Sequence, residues 1–123
     1  MRDLEKQWIS ALIRVERPLI DRLRGSGFAS EVAGDQSDPV PPWLLASAAL
    51  PGRGTWIESN LIVDDVTVRA EGDAAVVTSM QTYHPPPSGQ PSLEPRQRFY
   101  EVEDHWQKRA GRWQVVRRVV RPI

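Results

Sequence analysis

Cysteine is absent from the chain, which excludes a disulfide framework, an iron–sulfur centre and a thiolate zinc site. An excess of either charge is also missing, since 16 Lys and Arg balance 16 Asp and Glu. Without a basic surplus there is no electrostatic footprint for nucleic acid or an anionic membrane, and the mild cluster Arg117, Arg118 and Arg121 reads as a solvated strand edge. No apolar run approaches the length that crosses a bilayer. The opening "MRDLEKQW" carries charges where a signal peptide has apolar residues, so a cytoplasmic protein is expected. Histidine is scarce as well. His84 and His105 fall on different elements without helical spacing, so even with Asp104 and the glutamates they make a poor metal set, and no metal is expected. At 123 residues the chain can bury one core, and residues 1–123 are expected to form a single domain.

What is present divides into a helical half and a strand half. Residues 3–15 place Leu4, Trp8, Leu12 and Val15 at near-helical spacing, with Ile9 and Ala11 widening the stripe and Glu5, Lys6 and Arg14 outside it. "ERPLIDRLRGSGF" predicts a short second helix with Pro18 in its first turn and Gly25 and Gly27 at its end. "FASEV" reads as a strand, residues 33–42 as a loop, and "PPWLLASAALPG" as a third helix in which Trp43, Leu44 and Ala48 share a face. The period then changes. "TWIESNLIV", "VTVRA", "AAVVTSMQTYH", "RFYEVEDHWQKR" and "RWQVVRRVV" are β-branched or aromatic runs, with hairpin turns at Glu71-Gly72-Asp73 and Ala110-Gly111. Between the third and fourth runs, the five prolines of "PPPSGQPSLEP" predict a long exposed loop over 84–95. Helices followed by an antiparallel meander give an α+β fold, with the helices on one face of a curved sheet.

One stretch carries most of the chemical question. "FYEVEDHW", residues 99–106, puts Phe99, Glu101, Glu103 and His105 on one face of a strand and Tyr100, Val102, Asp104 and Trp106 on the other. Neither face is plainly apolar. An acidic row facing water is an ordinary solvated surface, and one facing an enclosed cavity is a place for acid–base chemistry.

The segments "QWISALIRVERPLIDRLRGSGF", "VTVRAEGDAAVVT" and "HWQKRAGRWQVV" resemble the paired helices, hairpin and closing hairpin of the nuclear transport factor 2-like superfamily, in its ketosteroid isomerase and SnoaL-like polyketide cyclase branch. The resemblance covers nearly the whole chain and implies a cone whose helices and mostly antiparallel sheet enclose a pocket, paired into a homodimer through the convex face. Ketosteroid isomerase moves a proton with an aspartate base and holds the oxyanion with a tyrosine and a protonated aspartic acid. Alignment of the first helix and first strand without a gap puts Trp8 at the tyrosine and Val32 at the base, and counting back from the hairpin Gly111 puts Glu103 at the oxyanion acid, so one position of three keeps a carboxyl.

With Glu103 inward, Phe99, Glu101 and His105 join it on the pocket wall, while Tyr100, Val102 and Trp106 turn to the convex face. The same parity gives Val116, Arg118 and Val120 to the pocket and Trp113, Val115 and Val119 to the dimer interface. Glu103, His105 and, if the first strand slips by one residue, Glu31 are the expected catalytic groups. Trp8, Val32, Trp43, Phe99, Glu101, Val116 and Arg118 are the expected ligand contacts. The function implied is cofactor-free isomerisation, cyclisation, dehydration or epoxide opening on a small apolar carbonyl or polycyclic compound. The alternative is a non-catalytic binding or assembly module of the same fold.

Overall fold

The first turn of the chain joins its helical stripe directly, so that α1 covers Arg2–Arg14 and buries Glu5, Trp8, Ile9, Ala11 and Leu12 along one side. The computed structural model describes residues 1–14, 16–34, 42–45, 61–84 and 98–123. Glu5, Trp8, Ile9 and Leu12 follow the i, i+3, i+4, i+7 rule. Glu5 therefore occupies the buried stripe, where the sequence pattern had set it aside. Helix α2, Arg17–Leu23, starts with proline in its first turn and buries Ile20 and Leu23.

Strand β1 begins at once, at Arg24, and runs to Val32, so Gly25 and Gly27 lie in the strand and not in a helix-ending turn. Their roles differ. A Cβ at Gly25 would stand 3.1 Å from Val116 Cγ1 and 3.3 Å from the Val115 carbonyl, so a larger residue here would press on β5 and force it to give by a few tenths of an ångström. Gly27 takes φ 78°, a left-handed value natural to glycine, where the register between Arg24 and Ala29 shifts.

Helix α3 is the single turn Pro42–Leu45. The remainder of the expected third helix, the strand residues 55–60 and the proline-rich stretch 85–97 lie outside the described residues. Strands β2 (Leu61–Glu71), β3 (Ala74–Tyr83), β4 (Arg98–Arg109) and β5 (Arg112–Pro122) follow the expected runs, and both hairpin turns fall where expected. "LIV" and "VTVRA" fuse into one strand across a bulge. In β2, Asp65 adopts φ 52°, and the register shifts between Asp64 and Thr67.

The sheet order is β1-β5-β4-β3-β2, antiparallel except that β1 runs parallel to β5. The result is a curved, mixed, unclosed sheet carrying helices on one face. Trp8, Ile9, Ala11 and Leu12 of α1, with Ile20 and Leu23 of α2, pack on Ala75, Val77, Trp106 and Val115. A second cluster joins Leu44, Tyr83, Tyr100, Val102 and Val120. Each fully buried Val or Leu in these clusters contributes about 1.5–3 kcal/mol of transfer free energy.

This packing reverses the expected faces of β4. Tyr100, Val102, Asp104 and Trp106 are the buried, helix-facing row, and Glu101, Glu103 and His105 are only partly buried on the other side. Phe99, also on that side, is 44% exposed. The physical reason is that a strand has period 2, so placing it one residue out exchanges every side chain between faces. Burying Trp106 with Trp8 and Leu12, and Val102 with Leu44 and Val120, outweighs the cost of enclosing one paired carboxylate. The apolar patch expected to await a second copy is largely the core itself, since Tyr100, Val102, Trp106 and Val115 are all buried within the monomer.

Candidate functional site

An acid and a base sit in otherwise apolar rows of adjacent strands, Asp104 in β4 and Arg118 in β5, directly paired in the register. Hairpin counting alone would pair Arg118 with Glu103. The register shift between His105 and Trp106 leaves Val116 as an extra residue in β5 and moves Arg118 one step along to Asp104. Both side chains are enclosed, Asp104 at 0% and Arg118 at 2% exposure. Arg118 Nε donates to Asp104 Oδ1 at 2.7 Å and its Nη2 to Oδ2 at 2.8 Å, a bidentate fork. Its Nη1 donates to the Leu44 carbonyl at 2.8 Å, tying α3 to the sheet. The guanidinium carbon also lies 5.8 Å from the centre of the Trp8 ring, within cation–π range.

Glu5 enters the same cluster from α1. It is 1% exposed, and its Oε2 accepts a hydrogen bond from Trp106 Nε1 at 2.8 Å. Among the described residues Oε1 has no donor. Burial first, and then the negative charge of Asp104, push the Glu5 carboxyl up to about 10. At neutral pH Glu5 is therefore a carboxylic acid, lying beside the Asp104 carboxylate. For Asp104, burial alone would raise the pKa, but the charge and hydrogen bonds of Arg118, with the Glu5 bond, hold it below the ordinary carboxylate range. Burial likewise disfavours the Arg118 cation, and Asp104 overrides it. The site is thus one neutral acid, one carboxylate and one guanidinium, with no net charge. Trp8 Nε1 is buried and has no partner among the described residues.

Space is available next to this cluster. A cavity of about 290 Å³ lies between α1 and β2, lined by Arg2, Glu5, Lys6, Ile9, Ser10, Val63 and Val66. Val63 and Val66 are three residues apart and would face opposite ways on a regular strand. The β2 bulge turns both toward it.

The residues expected from sequence divide between the two faces. Trp8 and Arg118 join the buried cluster, and Val32 pairs with Val120 on the helix side of β1. Glu103 and His105 lie on the opposite face 3.7 Å apart, and Arg121 bridges Glu101 at 3.0 Å and Glu103 at 3.6 Å. Glu31 pairs with Arg117 across β1 and β5 on that outer face. Val116 is the bulge residue against Gly25. The side chain of Trp43 lies outside the described residues. Among the described residues no group of three His, Asp or Glu could hold a metal ion, and no helix is long and apolar enough to cross a membrane.

The outer pairs are partly exposed and salt-screened, so each contributes little. Glu103→Gln and His105→Gln are each expected to change unfolding free energy by less than about 1 kcal/mol, and to leave the affinity of any ligand of the inner cavity unchanged, as urea titration and calorimetry would show.

Sequence reasoning missed Glu5, Asp104 and the role of Trp106. The available signal was an acid on the apolar stripe of α1 and an acid and a base at matching positions in the apolar rows of β4 and β5.

Solved structures share this architecture. The hub of CaMKII from S. rosetta superposes with a TM-score of 0.67 at 15% identity, covering 98% of this chain and 92% of that one. A candidate ketosteroid isomerase from Shewanella frigidimarina gives 0.66 at 14% identity, covering 96% and 91%. An NTF2-like protein from Cytophaga hutchinsonii gives 0.65 at 13%, covering 98% and 93%. The chain has the nuclear transport factor 2-like fold. No protein-family profile and no curated protein sequence matches it. At such identities the likeness extends to the NTF2-like fold alone, which hosts enzymes and assembly domains alike.

Proposed function

We propose that this NTF2-like chain binds a small, largely apolar carbonyl or hydroxyl compound between α1 and the sheet and acts on it as a proton donor, in the manner of the isomerase, cyclase and dehydratase side of the fold. The observation that carries the reading is Glu5, a carboxylic acid at neutral pH that lines the cavity while one of its oxygens is held by Trp106. Such a group delivers a proton to an oxygen. On a carbonyl it protonates the oxygen and the Glu5 carboxylate so formed takes up the proton of the neighbouring carbon, giving the enol; on a β-hydroxy compound the protonated hydroxyl leaves as water and the carboxylate takes the α-proton; on an epoxide the C–O bond opens as water attacks the carbon and gives its proton to the carboxylate. Asp104 and Arg118 act through Glu5 as positioning residues. As Glu5 gives up its proton, the neighbouring guanidinium stabilises the second negative charge. Trp8 Nε1 is an uncommitted donor of the same cluster.

A ligand that binds only the folded chain raises its melting temperature, so a thermal-shift screen of phenols, enones, polyketide fragments and epoxides identifies the class. Turnover of a hit is then expected to fall by about a hundredfold in Glu5→Gln. Unchanged turnover in that variant would overturn the acid role. A second reading, a non-catalytic assembly module like the CaMKII hub, draws on the fact that Asp104 and Arg118 already satisfy one another. It requires that no compound be turned over and that light scattering show a defined oligomer.

A further inference from the structure

The cavity beside Glu5 has a polarity of its own. Four residues of α1 reach it, Arg2, Glu5, Lys6 and Ile9, in the i, i+3, i+4, i+7 pattern of a single helix face, joined by Ser10. Two cations thus stand toward the amino-terminal end, and Ile9, Val63 and Val66 supply the apolar part of the lining. Arg2 is fixed in place, since its Nη1 donates to the carbonyl of Val66, a residue of the β2 bulge, at 2.7 Å. Among the described residues one nitrogen is committed, and the rest of the guanidinium fork is not. Lys6 is exposed and has no ion pair among the described residues. The nearest acids in sequence, Asp3, Asp64 and Asp65, are exposed and do not line the cavity. Among the described residues Glu5 is the single acidic side chain in the lining.

We propose that this cavity takes a small organic acid, its carboxylate held at the rim by Lys6 and Arg2 and its apolar body laid against Ile9, Val63 and Val66. The proposal rests on the reading of the cavity as the ligand site and adds the class of ligand. Two positive side chains in the lining, against one acid that is a neutral carboxylic acid at neutral pH, favour an anion. An Arg fork and a flexible ammonium together suit a carboxylate, and the first turn of a 13-residue helix adds a positive end beside them. A volume of about 290 Å³ sits at the lower end of the range for small-molecule pockets and suits a compact ligand. With its carboxylate at the rim, the ligand presents its body to the buried end of the cavity, where Glu5 would meet a carbonyl or hydroxyl placed a few atoms along. A β-keto or β-hydroxy acid is the natural form of such a substrate.

The test is isothermal titration of the full chain with hexanoate, benzoate and 3-phenylpropionate, each beside its neutral amide, at low and high salt. At least one acid is expected to bind about tenfold or more tightly than its amide at low salt, and the ratio should shrink at high salt as rim charges are screened. Lys6→Gln should abolish most of that preference, and Lys6→Arg should restore it. Equal binding of acid and amide, a preference indifferent to Lys6→Gln, or failure of all three acids to bind would overturn the proposal. Glu5→Gln separates this idea from the proton-donor reading. Acid binding that survives in Glu5→Gln, in a protein whose turnover is also unaffected, keeps the anion rim and removes the proton donor. Amides that bind as well as acids, with turnover of a screened hit lost in Glu5→Gln, keep the donor and remove the rim.

Discussion

Arg118→Met is expected to cost about 3–5 kcal/mol of unfolding free energy at neutral pH, most of the stability of a small domain. The methionine fills much of the volume but leaves Asp104 buried without a cation, beside a second carboxyl. Arg118 supplies both of Asp104's charge-assisted bonds and also holds the Leu44 carbonyl. The cost has a pH signature. In the wild type, Arg118 keeps the Asp104 pKa below its unfolded value, so its contribution is present above roughly pH 4 and is lost as pH falls through the folded pKa. In the variant, Asp104 loses that cation and takes up a proton more readily, so the gap between the two proteins should narrow as pH is lowered toward 4. Adding Asp104→Leu should recover much of the loss, because removing both charges replaces a broken pair by an apolar contact. Urea titration of the three proteins at pH 7 and pH 4 reads all of this. A loss below about 1 kcal/mol at pH 7 would mean that Asp104 is already neutral in the native state.

The fold was legible because it rests on patterns that survive counting errors. A helix stripe of Trp8, Ile9 and Leu12, a proline at the start of α2 and glycines at two hairpins mark elements whatever their neighbours do. The site was not legible to the same degree because it depends on parity, and parity depends on single extra residues. Val116 in β5 and Asp65 in β2 are such residues. The first carries Arg118 from Glu103 to Asp104, and the second brings Val63 and Val66 to one wall. Nothing in "RWQVVRRVV" marks Val116 as unpaired, since valine is at home in a regular strand. Asp65 gave a faint signal, because Asp tolerates left-handed backbone better than most residues. Charge was a second source of error. The more heavily charged row of β4, Glu101, Glu103 and His105, looks like chemistry, yet a solvated sheet face is where charges are cheapest. The one acid in the apolar row had to be matched by a buried base, and Arg118 was that match.

Glu5→Gln should stabilise the protein while impairing it, and the stabilisation should grow with pH. The amide keeps the shape of the protonated carboxyl, can accept from Trp106 and can donate to Asp104, so the native contacts persist. What changes is the proton. Glu5 has a folded pKa near 10 against an ordinary value of 4.5, so between those limits the folded chain holds a proton that the unfolded chain has released. The raised pKa means that Glu5's proton-linked stability is complete below about pH 4.5 and is lost as pH climbs, at up to about 1.4 kcal/mol per unit. Glutamine has no proton to trade. The variant and the wild type are therefore expected to have similar stability near pH 4.5 and to differ by roughly 2–4 kcal/mol at pH 8, with the variant ahead. Asp104 does not blur the comparison, because its lowered pKa acts on the acid side of this window. Denaturant midpoints measured from pH 4.5 to 9 give the slope directly. A gap that stays flat across that range would show that Glu5 ionises as readily in the folded chain as in the unfolded one, and would remove the neutral acid from the site. A gap that opens with pH, in a variant that has lost turnover, would identify Glu5 as a group kept at a cost in stability for the proton it holds beside the cavity.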